Sequence, residues 1–184
     1  VQVSFYSFHS KSVALKIPEP QTESKDLFMK QEIERKFLVI GDGWRKAAGA
    51  GLTCRQGYVT SEPESATVRV RLLGGRGFLT IKGATQGISR PELEYEIPAD
   101  DAEYMIQNLC GERRVEKRRY TLKIGRAVWE IDEFSGQNAG MILAEIELES
   151  ENQSFEKPEW LGEEVSYDHR YTNVALARRP LARW

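Results

Sequence analysis

From residue 30 onward, apolar and polar positions alternate with a period of two, interrupted by short turn segments. That pattern marks half-buried β-strands. The runs predict eight antiparallel strands at Gln31–Ile40, Leu52–Thr60, Thr67–Leu73, Gly77–Lys82, Glu92–Ile97, Arg114–Lys123, Ala127–Glu133 and Met141–Glu149. Gly74-Gly75-Arg76-Gly77 reads as a hairpin, and Ile124-Gly125-Arg126 separates two further strands. Pro98 to Leu109 has helical spacing, with Asp100 as cap, Ala102, Met105, Ile106 and Leu109 on one face, and Gly111 just past its end. Shorter helices are expected at Trp44–Ala50 and at Asn173–Arg179, the second stopped by Pro180. Residues 1–28 lack a sustained period and read as a flexible N-terminal extension or a leader that is an artefact of start-site choice. The alternative there is a strand, Val1–Phe8, added to the sheet. The domain proper is expected at 29–184.

The polar face of these strands changes the picture, because it is almost entirely ionised. Glu32, Glu34 and Lys36 oppose Ile33 and Phe37, and Arg69 and Arg71 oppose Val68, Val70 and Leu72. Thr80 and Lys82 oppose Leu79 and Ile81, while Glu92, Glu94 and Glu96 oppose Leu93, Tyr95 and Ile97. Lys117 and Arg119 share a face, as do Glu130 and Asp132, and Glu145, Glu147 and Glu149 form a last acidic row. For one strand alone this is an ordinary solvated face. Repeated strand after strand, with acids and bases segregated, it calls for counter-ions. A closed barrel meets that need: charged faces line a wet lumen, and apolar faces meet outer helices or a partner subunit. The fold class is thus α+β, mainly β, as an eight-stranded antiparallel closed barrel with a few outer helices. Carboxylates across such a lumen suit Mg²⁺ or Mn²⁺, and guanidinium and ammonium groups suit a polyanion.

Composition sets bounds on the partners. The 184 residues suit one domain with an ample core. Lys and Arg number 26 against 28 Asp and Glu, a net charge of −2, so no bulk basic field draws a nucleic-acid backbone. No apolar run is long enough for a membrane span. Cys54 and Cys110 have no paired-ligand spacing, and His9 and His169 are the only histidines, which argues against structural zinc and a histidine-centred hydrolase. The expected setting is a reduced, cytoplasmic one, without nucleic acid or membrane as partner.

Glu32-Ile33-Glu34-Arg35-Lys36 is an ExExK sequence that resembles the signature of the CYTH superfamily, the triphosphate tunnel metalloenzymes. Arg69-Val70-Arg71, Thr80-Ile81-Lys82, Glu92–Glu96, Glu116–Tyr120, Ile131-Asp132 and Glu145-Ile146-Glu147 follow in the order of that family's strand motifs. Gly162–Val165 and Asp168–Asn173 resemble its C-terminal segment, so the likeness runs from Met29 to about Ala177. The resemblance implies a tunnel-shaped barrel and site roles. Glu32, Glu34, Glu145 and Glu147 would bind the divalent metal, with Glu94 and Glu96 as further candidates. Lys36, Arg69, Arg71, Lys82 and Arg119 would bind triphosphate, with Lys117 a weaker candidate and Arg170 placed to close the tunnel. Lys36 and Asp132 would serve the chemistry, and Asp132 with the Glu92–Glu94–Glu96 row would hold a second metal or orient water. Which members of that row face the lumen is left open.

Among the family's activities, hydrolysis needs only the cradle, whereas cyclisation also needs a nucleoside pocket, and no base-recognition motif is present. Arg55-Gln56-Gly57-Tyr58 resembles short bacterial members that hydrolyse tripolyphosphate. The expected function is metal-dependent hydrolysis of inorganic tripolyphosphate or a similar small triphosphate. The alternatives are a class IV-type adenylyl cyclase and a non-catalytic triphosphate- or polyphosphate-binding module. A homodimer is possible. Tyr58 and Trp160 are read as packing residues, though either could stack on a ring.

Overall fold

The computed structural model describes residues 31–60 and 66–184. The leader, and with it the proposed strand Val1–Phe8, lies outside the described residues. The strands are β1 (Gln31–Val39), β2 (Leu52–Thr60), β3 (Thr67–Leu73), β4 (Arg76–Lys82), β5 (Ser89–Ile97), β6 (Arg114–Ile124), β7 (Ala127–Phe134), β8 (Ile142–Glu147) and β9 (Leu161–Glu164). Helix α1 spans Ala99–Asn108 and α2 spans Asn173–Arg178. The first eight strands pair antiparallel in the order β5-β4-β3-β2-β6-β7-β8-β1, and β1 closes the ring on β5 through Gln31↔Pro91, Glu32↔Arg90 and Ile33↔Ser89. The result is a closed barrel, with β9 added against the far end of β1.

Turn chemistry fixes much of this register. Gly74 and Gly75, at φ of 57° and 86°, make the two-residue turn between Leu73 and Arg76, a conformation that glycine adopts without a Cβ penalty. Arg76 is therefore already in β4 instead of the loop. β5 begins three residues earlier than the pattern suggests. Pro91 has no N–H to give, which argues against a strand, but it sits where β5 changes partner from β4 to β1.

Registered neighbours share a face, so the lumen can be read round the ring: Glu34↔Glu147, Lys36↔Glu145, Glu130↔Glu145, Arg119↔Asp132, Tyr58↔Arg69, Arg69↔Thr80, Thr80↔Glu94 and Lys82↔Glu92. The opposite faces carry the apolar side chains, covered from outside, with Arg35, Arg55, Arg118 and Glu133 interspersed. Phe37, Leu122, Trp129, Ile131, Ala144 and Ile146 pack with Trp44, Phe155 and Trp160, while Val70 meets Ala102 and Ile106 of α1. Burying each such side chain stabilises by roughly 1.5–3 kcal/mol. Trp160 stacks edge-on against Trp129 at 5.7 Å between centroids, a packing role as expected.

One end of the lumen is not wet. There Tyr58, Val115, Phe134 and Leu143 turn inward and α2 seals them with Leu176 and Ala177. Three helical expectations need correction. Asp100 does not cap α1; Pro98 holds that position and Asp100 falls in the first turn, where its charge still favours the helix end. Leu109 lies past the last helical residue and is 47% exposed instead of joining the apolar face. The segment at Trp44–Ala50 forms only a 3₁₀ turn, Gly43–Lys46, which is enough to bury Trp44.

Candidate active site

The wet part of the lumen is a chamber of about 310 Å³, at the small end of ligand pockets, which run to ~1,000 Å³. Strand alternation delivers its walls. β1 supplies Glu32, Glu34 and Lys36; β3 supplies Arg69 and Arg71; β4 and β5 supply Lys82, Arg90, Glu92 and Glu94. β6, β7 and β8 add Arg119, Glu130, Glu145 and Glu147, and the start of α2 contributes Asn173 and Val174.

The wall charges pair extensively with partners of opposite sign. Lys36 Nζ donates to Glu145 Oε1 at 2.6 Å and also pairs with Glu34. Lys82 Nζ donates to both Glu32 oxygens at 2.6 and 2.8 Å and lies 2.6 Å from Glu92. Arg90 Nε donates to Glu32 at 2.6 Å. Glu94 Oε2 accepts from Arg71 at 2.9 Å, Arg69 at 3.3 Å and the Thr80 hydroxyl at 2.7 Å. Arg119 donates to both oxygens of Asp132 at 2.7 and 2.6 Å and to Glu145 at 2.9 Å, and it also meets Glu130.

These contacts set the titration behaviour. Burial alone would raise the Glu32 carboxyl, but Lys82 and Arg90 outweigh it and hold it far below the usual carboxylate range. Glu145 and Asp132 behave likewise, burial being overcome by Lys36, Lys117 and Arg119 for the first and by Arg119 and Lys117 for the second. Their folded pKa values are depressed, so the stability they contribute is complete above the ordinary carboxylate range and is lost as the pH falls below it. Lys82 runs the other way. Burial, with Arg69 and Arg90 close by, brings its ammonium down to about 8 despite Glu32 and Glu92. Between about 8 and the ordinary lysine value of 10.5, the folded chain releases a proton that the unfolded chain keeps.

An anion held by Lys82 must therefore bind less well as the pH rises through 8. The KM for a triphosphate is expected to climb by as much as tenfold per pH unit above that point. Lys82→Arg, whose guanidinium stays charged, should flatten the climb. Superimposable KM–pH profiles for the two proteins would remove Lys82 from anion binding.

Not every residue singled out in the sequence reaches the chamber. Asp132 is fully buried on the lumen face nearer the sealed end, with both oxygens engaged, and Lys117, 1% exposed, pairs with Asp132 and donates to Asn173 Oδ1 at 2.9 Å. These two contact Arg119 and Asn173 of α2 and do not line the chamber. Glu92 and Glu94 face the lumen, but Glu96 sits beyond the barrel rim, 56% exposed and held by Arg76. Arg170 does not close the tunnel: it is 67% exposed and bound to Asp168 outside the chamber. Tyr58 borders the chamber from the sealed end, where its hydroxyl accepts from Gln56 at 2.9 Å.

Arg90 was the site residue that the alternation could have supplied and did not. It continues the series 92, 94, 96 by one step, and only Pro91 hid it. The helix that Asn173 opens was expected, but nothing in a local pattern says that a distant helix plugs a barrel.

The residues can be tested against the expected groups. Arg69 and Arg71 each bury an Nε–H without an acceptor, which is what a cradle for oxyanions requires. The wall carboxylates offer only hard oxygen donors, as Mg²⁺ or Mn²⁺ demands. Among the described residues, no three acidic, cysteine or histidine side chains are already gathered as a metal site. To hold an ion, Glu34 and Glu145 must give up Lys36.

The CYTH domain model matches residues 30–179. The chain belongs to the CYTH family. An inorganic triphosphatase of Acetivibrio thermocellus is 45% identical over 152 residues, covering 83% of this chain and 96% of its own length. One from Nitrosomonas europaea is 42% identical over 151 residues, covering 79% and 96%. Among solved structures, that of an inorganic triphosphatase aligns with a TM-score of 0.57 at 39% identity, covering 79% of this chain and 97% of the other. The two cysteines, Cys54 and Cys110, are free and buried, and no described helix is long and apolar enough to cross a membrane.

Proposed function

We propose that this CYTH protein hydrolyses the terminal phosphate of inorganic tripolyphosphate, or of a similarly small triphosphate, with Mg²⁺ or Mn²⁺. The observation that carries the reading is the pair of orphaned Nε–H groups on Arg69 and Arg71 inside a small, mostly charged chamber. The triphosphatase relatives, which this chain matches over nearly their whole length, support the same reaction.

In this reading Lys36, Arg69, Arg71, Lys82, Arg90 and Arg119 take the phosphate oxygens in place of their present carboxylate partners. Glu32, Glu34, Glu145 and Glu147 hold the metal, with Glu94 nearby. The bound metal neutralises charge that develops on phosphate oxygens during transfer. The cations fix the chain of phosphates so that the terminal phosphorus faces water in line with its leaving oxygen. Asp132 and Lys117 do not touch substrate; they hold Arg119 at its working angle. The described residues that line the chamber are mostly charged, which is why a bare phosphate chain fits the reading better than ATP.

Metal dependence tests this directly. Phosphate release from tripolyphosphate is expected to stop in excess chelator and to return when Mg²⁺ or Mn²⁺ is added beyond it. Undiminished turnover in chelator would overturn the carboxylate assignment.

A further inference from the structure

The arginines of this chain differ in whether a carboxylate holds them. Nine of the described arginines, from Arg35 to Arg170, pair with carboxylates. Among the described residues Arg118, Arg126 and Arg179 show no carboxylate in ion-pair contact, and neither do Arg113, Arg114 and Arg183. The last three line one groove of about 880 Å³ between the start of β6, the turn before β8 and the last residues of the chain. Arg178 and the Gln137 amide line it as well. Glu112 and Glu116 are also present, without pairing with those three arginines.

The groove is separate from the chamber. Asn173 and Val174 at the start of α2 border the chamber, whereas Ala177 and Arg178 at its end border the groove. The apolar plug around Leu176 stands between them. The groove wall is also built to hold its shape: buried Asn138 accepts from Leu181 N at 2.8 Å and donates to Leu176 O at 3.4 Å. Arg113 is braced too, donating from Nε to Tyr58 O at 3.0 Å and from Nη2 to Val59 O at 3.3 Å.

We propose that this groove is a second anion site, outside the tunnel, that takes a phosphate-chain anion. Guanidinium forks match phosphate oxygens, and cations spread over several elements suit an anion with several charges along its length. Among the described residues no aromatic side chain lines the groove, so they offer no platform for a base, which favours a bare phosphate chain over a nucleotide or single-stranded nucleic acid. A single exposed cation binds an anion only weakly; a chain of phosphates engages several at once.

The test is calorimetric titration of the full chain with pyrophosphate, in chelator, at fixed ionic strength. The double variant Arg114→Glu, Arg183→Glu is expected to lose one binding site per chain relative to the unaltered protein. Both positions are exposed, so the fold is not at stake. Tripolyphosphate turnover, measured on the same preparation, should stay within about twofold, because neither residue borders the chamber. This readout keeps the groove and the tunnel distinguishable: failure of turnover in both proteins would count against the proposed reaction and leave the lost site standing. An unchanged number of sites in the variant would overturn the groove proposal, and so would a lost site that sodium chloride at equal ionic strength abolishes just as well.

Discussion

Asp132→Ala is expected to destabilise the chain by about 3–5 kcal/mol, the loss that follows when one member of a buried ion network is removed. Asp132 is wholly buried and neutralises two cations at once, Arg119 through both its oxygens and Lys117 through one. Without it, Lys117 retains the Asn173 amide oxygen and the face of the Phe134 ring but no counter-charge, and Arg119 leans on Glu145 and Glu130. Urea unfolding measures the change. Adding Lys117→Met should recover part of it, since an apolar side chain in that place needs no counter-charge. A change below about 1 kcal/mol for Asp132→Ala would mean that water or another carboxylate replaces it easily, and the positioning role would fall.

Glu34→Gln addresses the chemistry instead of the fold. Glu34 lines the chamber beside Lys36 and faces Glu147 across the β1–β8 register. The amide keeps the shape and loses most of the attraction for a hard cation. Metal-supported kcat/KM for tripolyphosphate is expected to fall at least about 100-fold, or ~2.7 kcal/mol of transition-state stabilisation. The melting temperature should move little, because Glu34 is only partly buried and Lys36 keeps Glu145 at 2.6 Å. Wild-type kcat/KM in this variant would take Glu34 out of the metal set.

Much of the barrel was legible because a closed sheet imposes its period on the sequence. Glu32-Glu34-Lys36, Arg69-Arg71 and Glu145-Glu147 each state their face outright, and glycines at 74 and 75 state the hairpin. The same rule could not see depth. Lys117 and Asp132 share the lumen face with Arg119 and Glu130, yet they lie nearer the sealed end and are covered by α2, a fact set by contacts some 40 residues away in the chain. Alternation also could not tell Glu94 from Glu96, because the rim of a tilted barrel cuts across the strand and leaves the last charge in solvent. β9 was missed as a strand since four residues are too few to show a period. Its place is fixed by β1, with Phe37↔Glu164 and Val39↔Leu161, instead of by its own pattern.

The central claim is that the chamber is built for a bare chain of phosphates. The most direct measurement is product identification by phosphorus NMR, with tripolyphosphate and ATP supplied separately to the metal-loaded protein. Tripolyphosphate is expected to give pyrophosphate and orthophosphate, at a kcat/KM at least about tenfold above that for ATP, a difference of ~1.4 kcal/mol. ATP, where it is used, should give ADP and orthophosphate. Cyclic AMP and pyrophosphate as the main products from ATP, with tripolyphosphate left intact, would contradict the account.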